Sequence, residues 1–62
     1  MYKILIKLKG KLIGHPIYSS MIPNIGECIV IKTKAMGVLK LRVKDLELDF
    51  QTKEVILDCY PI

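Results

Sequence analysis

His15, Ser19 and Ser20, Cys28 and Cys59, and the alternating acids Asp45, Glu47 and Asp49 are the side chains of this sequence whose types could carry catalysis or hold a metal. A serine nucleophile needs a histidine base that an acid in turn orients. His15 is the sole histidine, and neither a partner nucleophile nor an acid stands near it in the chain, so it offers no triad and reads as an ordinary loop residue. Asp45, Glu47 and Asp49 would fall on one strand face, successive pairs roughly 7 Å apart at about 3.3 Å rise per residue. A divalent cation could sit there, but a solvated acidic face is the plainer expectation. Cys28 and Cys59 are too few for a disulfide scaffold and lack zinc-ligand spacing. Buried free thiols are expected, with a single disulfide as the alternative. The four glycines are scattered singly, so there is no phosphate-binding loop. No catalytic residue, metal site or cofactor is therefore expected.

The length supports that reading. Sixty-two residues make one small domain, 1–62, which buries only roughly 60% of its unfolded surface and has little room for a deep catalytic cleft. Disorder is excluded by 10 Ile, 8 Leu and 4 Val. The longest apolar run, Cys28 to Ile31, is far short of the roughly 18 to 20 residues that span a bilayer. Lysines interrupt the N-terminal segment Met1 to Lys9 too often for a secretory signal. The expectation is a cytoplasmic protein without membrane contact.

What remains is binding. Residues 1–44 hold nine basic side chains and the single acid Glu27, whereas residues 45–62 hold five acids and Lys53, a split of +8 against −4. If the outer face of the first strand lies near that of Val38 to Lys44, then Lys3, Lys7, Lys9, Lys40, Arg42 and Lys44 form a basic surface suited to a polyanion or an acidic protein. The bland alternative is that lysines keep strand faces soluble and guard exposed edges. Bases stack on aromatic side chains, and Tyr2 and Phe50 are expected in the core, so only Tyr18 and Tyr60 remain for that task. The stretch His15 to Ile25, with two prolines, two serines and an Asn, reads as a loop. Its residues His15, Ile17, Tyr18, Met21 and Ile22 mix polar and apolar groups as a partner-binding loop would, or as a plug for one end of a barrel.

The elements that must position these groups follow from period-two alternation. Tyr2, Ile4, Ile6 and Leu8 share one face of a first strand, and Gly10 marks a tight turn before a short return strand at Leu12 and Ile13. Glu27 to Thr33 is a strand with two apolar faces, so its inward face stays open. In Val38 to Phe50 the apolar set moves from odd positions (Leu39, Leu41, Val43) to even ones (Leu46, Leu48, Phe50), which requires one extra residue near Lys44 and Asp45. A helix competes there, but its geometry would expose Val38, Leu41 and Leu48. A last hairpin leads into Glu54 to Tyr60, and Pro61 ends the sheet. These short strands predict an all-β fold: a small, strongly bent antiparallel sheet or five-stranded barrel.

The segment Met21-Ile22-Pro23-Asn24-Ile25-Gly26-Glu27-Cys28-Ile29-Val30-Ile31, followed about a dozen residues later by Val43-Lys44-Asp45-Leu46-Glu47-Leu48-Asp49-Phe50-Gln51-Thr52-Lys53-Glu54-Val55-Ile56-Leu57, resembles the pattern of short phage and mobile-element proteins with a small Src-homology-type barrel. The resemblance covers about two thirds of the chain and implies that fold and a phage or prophage origin. No site residue travels with it. The function expected is a non-catalytic protein-binding module, as a modulator or inhibitor of a host system, with a nucleic-acid-binding barrel and a self-assembling structural subunit as alternatives. Leu5, Val38, Ile56 and one apolar pair of the strand 27–33 fall on outward faces, so a symmetric homodimer is expected.

Overall fold

A computed structural model describes all 62 residues, as five strands: β1 (Tyr2–Leu8), β2 (Lys11–Ser19), β3 (Cys28–Thr33), β4 (Gly37–Asp49) and β5 (Glu54–Pro61). They form one sheet in the order β2-β1-β5-β4-β3, curled strongly into a half-barrel. The expected all-β, sharply bent architecture is the one observed. No helix is long and apolar enough to cross a membrane.

One seam differs from a wholly antiparallel sheet. β1 and β5 run parallel, while the other three pairings are antiparallel. Parallel neighbours need a long crossover connection, and here β2, β3 and β4 together supply it.

The alternation in β1 buries Ile4 and Ile6 and turns Lys3, Leu5 and Lys7 to the convex face. Its hairpin to β2 turns at Lys9 and Gly10, with φ of 52° and 80°; two successive positive φ values match the twist of a two-residue hairpin loop. In β3 the inward pair is Ile29 and Ile31, opposite Leu41 and Leu39, which leaves Cys28 and Val30 on the convex side. The expectation of two buried thiols is thus corrected for Cys28, which is exposed; Cys59 is buried, and both are free.

β4 carries the anticipated bend. Val43 pairs with Cys59 and Asp45 with Asp58, so Lys44 is the extra residue of a bulge. Leu39, Leu41 and Val43 face inward before it, Leu46 and Leu48 after it. Phe50 departs from the expected core placement and is 81% exposed. The strand has already ended: the Asp49 carboxylate accepts hydrogen bonds from the backbone N–H of Gln51 (2.9 Å) and Thr52 (3.3 Å), which puts Phe50 on the outside of a turn.

The expected loop from His15 to Ile25 is corrected as well. β2 continues to Ser19, so His15, Ile17 and Tyr18 are strand residues, and only the segment 20–27 links β2 to β3. Ile4 pairs with Ile17 but Ile6 with Ile13, so Gly14, His15 and Pro16 bulge out of the ladder. Gly14 takes a φ of 68°, and Pro16, which has no N–H, occupies a position in an edge strand where none is needed. The glycine and proline that read as loop signals make this bulge.

The core that results is thin. Its buried members are Ile4, Ile6, Ile31, Leu41, Val43, Val55, Leu57 and Cys59, with half-buried neighbours such as Tyr2, Ile22 and Leu46 packed around them.

Candidate functional site

The half-barrel does not close. β2 and β3 are the two sheet edges, and they approach each other near Gly14 and Thr33 without forming a ladder. Between them lies a groove of about 710 Å³. Its floor includes the buried Ile6 and Ile31, its walls Ile13, Pro16, Ile17, Val30 and Met36, and its polar lining His15, Lys32, Thr33 and Lys34. No acid and no Phe, Tyr or Trp lines it.

Local chemistry fixes the β3 wall at both ends. On the β3 side the Thr33 hydroxyl accepts from the Met36 N–H (2.9 Å) and donates to the Gly37 carbonyl (3.1 Å), which braces the turn that carries Lys34, Ala35 and Met36 to the rim. Gly37 closes the turn with a φ of 70°. At the other end of β3, Asn24 N–H donates to the Glu27 carboxylate (2.7 Å), and the Arg42 guanidinium donates to the Gly26 carbonyl (2.7 Å).

The free edge of β3 can be identified from the ladder. Val43 N–H donates to the Glu27 carbonyl (2.9 Å), so the odd-numbered residues of β3 bond toward β4. Antiparallel ladders alternate, and the N–H and C=O groups of Cys28, Val30 and Lys32 therefore point away from β4. Val30 and Lys32 bring theirs to the groove. β2 offers less on its side, because the bulge interrupts its ladder and Pro16 lacks a donor.

The structure divides the partner-binding set expected from the sequence. His15 and Ile17 line the groove. Tyr18 stands on the outer face of β2 opposite Lys3 and is 63% exposed. Met21 is exposed in the connecting segment, where its backbone N–H is held by the Ser19 hydroxyl (3.1 Å). Ile22 packs against the core, as a plug residue would.

The sheet order divides the expected basic set. β5 separates β1 from β4, so Lys3 lies beside Glu54 and Lys7 beside Asp58 rather than beside Lys40 and Arg42. Lys9 sits in the hairpin turn and Lys44 in the bulge, both exposed. Lys40 and Arg42 sit instead next to β3, opposite Val30 and Cys28. The acids collect on the remaining convex surface, where Asp45 faces Asp58 and Asp49 faces Glu54.

Sequence reasoning passed over Val30, Lys32, Lys34 and Met36. The signal available was an apolar strand whose second apolar set had no assigned partner, followed by two lysines flanking a threonine. Its meaning depends on β3 being an edge, which is a property of the sheet order.

No family model, curated protein or solved structure matches the chain.

Proposed function

We propose that this protein is a non-catalytic binding module that holds part of a protein partner in the groove between β2 and β3. The observation that carries the reading is the open half-barrel: two unpaired strand edges flank an aliphatic floor with lysines at its rim. An exposed edge invites another chain, and folded proteins normally cover or blunt it. The apolar lining supplies affinity, and free backbone groups supply direction. A modulator or inhibitor acts by such occupancy alone, without a reacting group. The nucleic-acid reading has weaker support, because the groove has no Phe, Tyr or Trp on which successive bases stack.

The test is a photo-cross-linking residue placed either at Met36, on the groove, or at Ile56, on the convex face, in extract of the cells that make the protein. The expected result is a discrete cross-linked protein from the Met36 position and none from Ile56. No product from either position, or the same products from both, would contradict the proposal.

A further inference from the structure

The chemistry of the groove specifies its occupant more narrowly than a protein partner, and the narrower inference rests on the reading above. We propose that the groove takes an extended acidic segment, which adds as a sixth strand along the free edge of β3 and sets its carboxylates against Lys32 and Lys34.

Three features of the groove select that occupant. The first is charge: Lys32 and Lys34 are exposed and line the groove together with His15 of β2, and no acid balances them within the lining. A second copy docking groove to groove would set the same lysines against each other, at a cost in like-charge repulsion. The second is the backbone. The N–H and C=O groups of Val30 and Lys32 point at the groove, and any occupant that displaces water from them without bonding to them leaves polar groups unsatisfied. An aliphatic tail has nothing to offer these groups, whereas an extended peptide satisfies them in register. The third is the asymmetry of the walls. Pro16 and the bulge deprive β2 of a regular ladder, so the added strand bonds to β3 and only packs against β2. Strand alternation then turns every second side chain of the guest toward Ile6 and Ile31.

The experiment is an NMR titration of the whole protein with a blocked peptide of about seven residues alternating glutamate and valine. Two companions share its length: one has lysine for glutamate, the other is N-methylated at alternate amides. The acidic peptide is expected to shift the amide signals of Val30 and Lys32. Both companions, and the protein carrying Lys32→Glu with Lys34→Glu, are expected to bind about tenfold more weakly or less, as the loss of one or two hydrogen bonds or charge pairs implies. Absence of binding by the acidic peptide at about 1 mM overturns the proposal. So does equal binding of either companion, tighter binding of an oligothymidylate at the same amides, or light scattering that shows a dimer whose Val30 and Lys32 amides are already protected. If the peptide fails while the Met36 cross-link still captures a protein, the strand mode falls and the protein-binding reading stands.

Discussion

Val43 and Leu46, three residues apart on β4, face the same core, Val43 opposite Cys59 and Leu46 opposite Leu57. In a regular strand they would lie on opposite faces. The unpaired Lys44 reconciles them, and the same bulge turns Asp45, Glu47 and Asp49 outward. Val43 is 1% exposed, so Val43→Asp buries an unpaired charge and is expected to cost about 3 kcal/mol or more, enough to unfold so small a domain. Leu46 is only half-buried, and Leu46→Asp is expected to cost about 1 to 2 kcal/mol. Chemical denaturation measures both. A negligible effect of either substitution would place that side chain in solvent.

Deleting Lys44 is a sharper probe than replacing it. Lys44→Ala leaves the extra residue in place and should change stability by no more than about 0.5 kcal/mol. Deletion removes only the extra residue, so Val43 to Leu48 alternates regularly with Leu46 and Leu48 still inward, and the melting transition should persist. Deleting Arg42 instead turns Val43 outward and should abolish it. Loss of the transition on deleting Lys44 would refute the bulge.

Phe50 and Asp49 should exchange the importance that their residue types suggest. Phe50→Ser removes a large ring that is already in solvent and is expected to alter stability by less than about 0.5 kcal/mol. Asp49→Ala removes the acceptor for two backbone N–H groups and is expected to cost about 1 kcal/mol. Paired thermal melts decide, and the reverse order would contradict the turn.

The two thiols should differ in reactivity. Cys28 is exposed, whereas burial first and the neighbouring Asp58 carboxylate second raise the Cys59 thiol above its ordinary value of 9.0. An aromatic disulfide reagent at neutral pH should modify one thiol per chain promptly and the second only in denaturant. Prompt reaction of both would show that Cys59 is reached through local opening.

The same shift sets a pH dependence. Below about pH 9 the Cys59 thiol is protonated in both the folded and the unfolded chain. As pH rises through that value the unfolded chain loses the proton while the folded one keeps it, so the unfolded state binds fewer protons and stability falls. The stability difference between the parent and Cys59→Ala should therefore shrink above pH 9. A difference independent of pH would contradict the burial of the thiol.

Much of this fold was legible because period-two alternation reports directly which side chains share a face. Ile4 and Ile6 in β1 and the odd-to-even shift across Lys44 carry that information within a few residues. Sheet order does not: nothing near Lys3 or Lys7 says that β5 will insert Glu54 and Asp58 beside them, and so the basic surface drawn from sequence broke apart. His15 and Ile17 were found as candidates for their composition, though they line the groove from a bulged strand rather than a loop. Gly14 and Pro16 carry the same local signal in both settings, and only the register with Ile4 and Ile6 distinguishes them. Lys32 and Lys34 were missed for the related reason that an edge strand and a central strand can share one sequence.

The open edge of β3 is the claim on which the binding account depends, and amide hydrogen exchange of the isolated protein tests it most directly. Ile29 and Ile31 bond toward β4 and should be protected, while the amides of Val30 and Lys32 should exchange much faster, near the rate of unpaired groups. Strong protection of all four would mean that the edge is already paired and the groove already filled, and the account would fail.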